Sequence, residues 1–493
     1  MSRRFRTHNV GYRRAVLIGL SAAILAAPCV AEAMRLHHYT VAIDPDLNVI
    51  SVRACFDGKT PLYLIAASLD AAAVLEQPRI EGARRRLEPN GAELKLGAQP
   101  DNSCLGYSSN VGQFQSRHQR GGNPTRHLGR DLLTDLGVWF WRPDTLTSDE
   151  DIEVRFELPA GISVSAPWHQ ARTNDGATVY RVGHSPYDWP AAVAFGHFEE
   201  QPLSIPGAVL RVAVLESIPA VDPELIRRWL TRAATAVTTL YGSFPVSSAQ
   251  VLVIPGARGN EPVPWAYVLR GGAPAAHLFI NQRRSASEFL TDWTAVHELS
   301  HLFLPYLRPE DAWLSEGTAS YYQHVLRARS GMIAPAEAWQ NLHTGFRRGM
   351  KSQPNVTLAD ATEGMYRNGA YLRVYWEGAA IMLLADQRLR TRTSGSQSLD
   401  SALRQLRECC VASETGWQAA EVFAKLDEVT GTTVFRELYE TNVRAEAFPD
   451  LAEAYGLLGL QVQTNGETIE LQDDDGAKVR LRDSIMGVSK SVN

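Results

Sequence analysis

The stretch that decides the fold is Thr294-Ala-Val-His297-Glu298-Leu-Ser-His301-Leu-Phe-Leu-Pro305. It reads as part of one helix. Ser285 with Glu288 is a capping box, Phe289, Trp293, Val296 and Phe303 recur at helical spacing, and Pro305 suits the end. At about 100° per residue, His301 stands about 40° round from His297 and one turn along, so both imidazoles can bind one metal ion. Glu298 cannot share that direction but can reach a water held there. This is the H-E-x-x-H arrangement, two zinc ligands and a general base. With His as rare as 13 in 493 residues, chance supplies only about 0.02 such matches in the chain. A pair of packed structural histidines is the competing reading.

A third ligand is available in Trp313-Leu-Ser-Glu316-Gly-Thr-Ala-Ser-Tyr-Tyr-Gln323. A second helix starting here and running towards Arg329, with Gly331 past its end, places Glu316 in its first turn. The short connection over 306–312 lets the two helices pack side by side. Glu310 and Asp311 are rivals by proximity, but their polar turn just before Trp313-Leu314 suits solvated surface better. Two His and one Glu leave a coordination position open, the pattern of a catalytic rather than a structural zinc.

These segments resemble a gluzincin zinc metallopeptidase, most closely the glycyl aminopeptidase family. There, a helix carrying H-E-x-x-H is followed by a Trp-Leu-Ser-Glu-Gly-x-x-Ser-Tyr-Tyr type segment. The aminopeptidase N family is the neighbouring match. Residues 302–315 separate His301 from Glu316, a gap usual in neither family. Tyr375-Trp-Glu377-Gly378 ahead of an apolar run to Asp386, then Ser398-Leu-Asp-Ser-Ala-Leu-Arg404, extends the resemblance. It implies that the Tyr375 hydroxyl stabilises an oxyanion, although a merely packed aromatic fits the same position and Tyr366 and Tyr371 are alternatives. Glu377 stands where the family commonly has Lys. Pro264–Ala273 and His277–Asn281 resemble the edge strand and following strand that line the substrate cleft. No Gly-x-Met-Glu-Asn element for holding a free amino terminus is found; Glu261, the nearby acid, reads as a solvated loop residue.

The resemblance implies a thermolysin-like, mainly helical catalytic domain over 206–450. It would hold one Zn²⁺ through His297, His301 and Glu316, with Glu298 as general base and a peptide or protein as substrate. Aminopeptidase action is the finer implication. Two other classes stay open: a peptidase-fold binding protein without turnover, and a zinc hydrolase of a non-peptide bond.

Upstream, over 34–205, short β-rich runs alternate with turn residues: 38–43, 48–56, 62–66, 92–96, 138–141, 152–158, 162–165 and 178–182. They predict a β-sandwich-like domain, with Gln113–Arg130 a surface loop. The fold class is therefore α+β and multidomain, closed by a short tail over 451–493 with strands at 460–463, 468–471 and 478–481. The first 33 residues read as a signal peptide. Arg3, Arg4, Arg6, Arg13 and Arg14 flank the start of an apolar run, Ala15 to Ala27, and Ala31-Glu32-Ala33 supplies a cleavage site. Export to the periplasm or medium follows as the expectation, with no stable membrane span after removal. Removing 1–33 takes five Arg and one Glu from a chain of net charge −5, leaving −9 and no electrostatic grip on nucleic acid. Four Cys remain, and in an exported chain a Cys55–Cys104 disulfide, worth about 4 kcal/mol by loop closure, is expected. Cys409 and Cys410 read as structural. Nothing in the sequence fixes an oligomeric state.

Overall fold

Burial alternates along Arg35–Ile43 and Val49–Cys55, the mark of strands with one face on a core. In the computed structural model, which describes residues 34–116, 124–173, 178–186, 189–411, 416–473 and 475–487, these strands are central to a seven-stranded sheet. The expected signal segment, 1–33, lies outside the described residues, as do 117–123 of the expected surface loop, whose residues Thr125–Leu128 form a strand instead. The sheet runs His169–Arg172, Thr178–Arg181, Glu150–Glu157, Arg35–Ile43, Val49–Cys55, Cys104–Asn110, Leu75–Ile80. Facing it is a four-stranded sheet ordered Ser163–Ser165, Ala192–Gly196, Asp131–Asp135, Thr125–Leu128. Tyr39, Val52 and Leu105 from the first share one core with Leu132, Val193 and Phe195 from the second. Cys55 and Cys104 stand opposite each other on antiparallel neighbours and are disulfide-bonded. Cys409 and Cys410 are bonded to each other.

Two departures from the sequence reading have plain causes. Residues 138–141 are not a strand: Val138 ends the 3₁₀ turn Leu136–Val138, and Trp139 and Trp141 beyond it are fully buried. The Tyr107 hydroxyl satisfies their backbone, donating to Trp139 O at 3.1 Å and accepting from Trp141 N–H at 3.2 Å. Conversely, Ala192–Gly196 is a strand without alternation, because every residue is buried. Its second face packs with Leu133 against Ala213, Leu252 and Ile254 of the next sheet.

That next sheet has five strands, ordered Gln201–Ile205, Ala208–Val214, Ser248–Pro255, Ala275–Ile280, Trp265–Leu269. Helix Pro223–Thr238, capped by the Asp222 carboxylate on Glu224 N–H, connects the parallel pair Ala208–Val214 and Ser248–Pro255. Trp265–Leu269 is the edge, antiparallel to Ala275–Ile280, as the resemblance implied.

Helices then dominate. Ala312–Arg329, the glutamate helix, and Tyr371–Arg392, the tyrosine helix, meet backbone to backbone. A Cβ on Gly317 would collide with Gly378, and one on Gly378 with the Trp313 carbonyl. In the tail, Leu460–Val462 and Ile469–Leu471 pair as a hairpin, but 478–481 belongs to helix Gly476–Met486. Asp475 caps that helix, and its Ile485 and Met486 enter the helical core. No described helix is long and apolar enough to cross a membrane.

Candidate metal centre

The helix expected to run unbroken from Ser285 is interrupted. The capping box forms, but it starts only Ala286–Leu290. The buried Asp292 carboxylate then accepts from Ala295 N–H at 3.0 Å and opens a fresh helix, Thr294–Ser300, the histidine helix. His301 begins a 3₁₀ turn, His301–Phe303. The two imidazoles still converge, with ring centroids 5.0 Å apart and planes perpendicular.

Glu316 lies in the first turn of the glutamate helix and closes the group. Its Oε2 is 3.3 Å from His297 Nε2 and 3.6 Å from His301 Nε2, and the three donor atoms lie within 4.8 Å of one another. A tetrahedral zinc with bonds of about 2.0–2.1 Å separates its donors by about 3.3–3.4 Å, so this donor set fits the ion in chemistry and in spacing. The other nitrogen of each ring is occupied: His297 Nδ1 donates to Gln323 Oε1 at 2.7 Å, and His301 Nδ1 lies 2.8 Å from Ser315 Oγ. Both Nε2 lone pairs are thereby aimed at the space beside Glu316. Glu310 is exposed and Asp311 accepts from Ala419 N–H at 2.8 Å, so neither rival joins the cluster.

No family model and no curated relative matches this sequence. Solved structures do match. An aminopeptidase N family protein from Idiomarina loihiensis superposes with a TM-score of 0.66 at 15% identity, over 87% of this chain and 79% of the other. An M1 zinc metallopeptidase from Deinococcus radiodurans gives 0.53 at 16% identity, over 85% and 95%. A mutant of the latter bound to a Tyr-Ser-Ala substrate gives 0.52 at 15%, over 85% and 95%. The chain has the fold of the M1 zinc metallopeptidases.

Within this M1 fold, Glu298 is buried beside the donors, its Oε2 3.8 Å from His301 Nε2, and burial pushes its carboxyl up to about 7. Burial takes His301 down to about 3. Glu316 is held low: burial opposes this, but the two imidazoles beside it, His297 also through a hydrogen bond, prevail. Tyr375 stacks on His297 at 5.8 Å between centroids, and burial, then the Glu316 and Glu298 charges, raise its pKa, so it keeps its proton. Tyr366 is 80% exposed and Tyr371 41%, and they pack edge to face on each other, so Tyr375 is the tyrosine against the histidine pair. Glu377 is fully buried in an ion pair with Arg373, one turn earlier on the tyrosine helix. Two residues from Tyr375, it faces the other side of that helix, and its charge is met there.

Sequence reasoning missed the supporting layer. Gln323 stands two turns from Glu316 on the same helix face, a spacing that could have revealed it. Arg270, just past the edge strand, carries no sequence signal of its own. It reaches under the histidine helix, donating to His301 O at 2.9 Å and Ser315 Oγ at 2.8 Å. Burial lowers its pKa to about 10, which still leaves it charged at neutral pH. Gln323→Leu removes the acceptor that orients His297, and zinc affinity is expected to fall roughly 10–100-fold. Competition against a chelating dye measures this; unchanged affinity would contradict the orienting role.

Proposed function

We propose that this chain is an exported zinc-dependent peptidase, with one zinc ion held by His297, His301 and Glu316. The observation that carries the reading is the convergence of both Nε2 atoms on the Glu316 carboxylate, with Glu298 buried alongside. A zinc ion at this site supplies Lewis acidity, which makes a water more acidic and polarises a carbonyl. Glu298, buried beside the donors, accepts a proton at its carboxylate from the attacking water and returns it to the leaving amine. The Tyr375 hydroxyl donates to the oxyanion as the carbonyl carbon becomes tetrahedral. Strand Trp265–Leu269, at the edge of its sheet, offers its free backbone groups to an extended peptide as an added strand.

Aminopeptidase action is the finer form of this reading. Glu261, exposed in the cavity that also exposes His297 and Tyr375, is the carboxylate there that a free amino terminus would meet. The argument for export rests on the pattern of residues 1–33 and on two disulfides, bonds that persist in oxidising compartments. The domain division supporting the reading is 34–205, 206–450 and 451–493.

A peptide-library digest read by mass spectrometry tests the function. Cleavage is expected, and its position, at chain ends or within chains, separates exopeptidase from endopeptidase. A zinc-loaded protein that cleaves no peptide would overturn the reading. Tyr375→Phe is expected to lower kcat roughly 10²–10³-fold with KM little changed, the cost of one oxyanion donor. A fall confined to KM would instead make Tyr375 a binding residue.

A further inference from the structure

A cavity of about 600 Å³ opens beside His297 and Tyr375 and carries two arginines that the metal centre does not use, Arg327 and Arg348. Arg327, on the glutamate helix, is only 6% exposed. It donates to Thr291 O at 2.7 Å, while its Nε has no partner among the described residues. Asp292 and Glu337 act on it through space without forming an ion pair. Arg348, on helix Pro335–Lys351, is exposed in the same cavity and pairs with no described residue. Glu261, the acid in the lining, reaches neither. A guanidinium taken out of water without a paired carboxylate is costly, and its planar fork matches one.

Spacing adds a ruler. Ser320, Gln323, His324 and Arg327 line the cavity along one face of the glutamate helix. From Glu316 to Arg327 is about 16 Å at 1.5 Å per residue, and the arginine side chain slopes back towards the helix N-terminus. An extended peptide at about 3.3 Å per residue covers that distance in roughly three to five residues.

We propose that this cavity selects peptides bearing a carboxylate roughly three to five residues from the bond cleaved, bound by Arg327 and Arg348. The inference rests on the peptidase reading. The carboxylate is either the peptide's own C-terminus or an acidic side chain, and one experiment distinguishes them. Glu298→Gln, used as a non-cleaving trap, is titrated calorimetrically with matched peptides: C-terminal acid against amide, and Glu against Gln at each of those positions.

At least one pair should differ by about tenfold or more in Kd, and that pair identifies the source. Adding Arg348→Gln, at an exposed position where folding is not at stake, should shrink the difference below about threefold, and Arg327→Gln should do the same. The kcat/KM ratios of the parent enzyme should follow the same order. Pairs that bind and are cleaved alike, or discrimination that survives both arginine substitutions, overturn the carboxylate proposal and leave the peptidase reading standing. If no peptide is bound or cleaved, both fall together.

Discussion

Glu298→Gln is expected to retain zinc and lose peptide hydrolysis by roughly 10²–10⁴-fold in kcat, the span that a positioned acid–base group contributes. The amide has the shape of the carboxylate, so it should not disturb the packing around a side chain this deeply buried. It removes only the ability to take and return a proton. Because Glu298 Oε2 is 3.8 Å from His301 Nε2, beside the donors but not among the three closest, the metal should remain. Zinc content by elemental analysis and kcat on a cleaved peptide check the two halves. Full activity would sink the assigned base, and loss of zinc along with activity would make Glu298 part of the metal shell.

Gly317→Ala is expected to be nearly as damaging although no catalytic atom is touched. The glutamate and tyrosine helices approach so closely that the added methyl meets the Gly378 backbone, which cannot swing aside as a side chain can. Overpacking of this kind costs about 1–3 kcal/mol and more where nothing yields. Forcing the helices apart by about 1 Å also separates Glu316 on one from Tyr375 on the other, and a misplacement of that size can cost about 10²-fold in rate. Gly456→Ala is the control: Gly456 also lies in a helix, Ala452–Leu458, but an added Cβ there meets nothing within 4 Å. It should be neutral or stabilising by up to about 1 kcal/mol. Denaturation midpoints and kcat/KM of both variants decide the matter, and two equally mild substitutions would refute the close-approach argument.

The parts of this site carried on a single helix were readable from sequence. His297 and His301 announce themselves because helical spacing alone brings them to one side, with Glu298 adjacent, and Glu316 because a ligand type sits in the first turn of the next helix. The interruption at Asp292 was not readable: apolar spacing continues across it, and the break depends on a buried carboxylate capping a backbone N–H. The roles of Gln323, Ser315 and Arg270 were hidden for another reason. Each depends on how separate elements dock, which periodicity within one element cannot show. The same limit explains the β region. Strands with one wet face, such as Val49–Cys55, alternate and are visible, whereas Ala192–Gly196, covered on both faces, looks like any apolar run. The glycines at 317 and 378 belonged to recognisable motifs, but only the helix crossing gives the physical reason for them.

The central claim is that His297, His301 and Glu316 hold a zinc ion on which peptide hydrolysis depends. Titrating metal-stripped protein with zinc while following bound metal and peptide cleavage tests it most directly. Activity should rise in step with occupancy and level off at one equivalent, and Glu316→Ala should show neither tight binding nor cleavage. Hydrolysis without metal, or tight zinc binding undiminished in Glu316→Ala, would contradict the account.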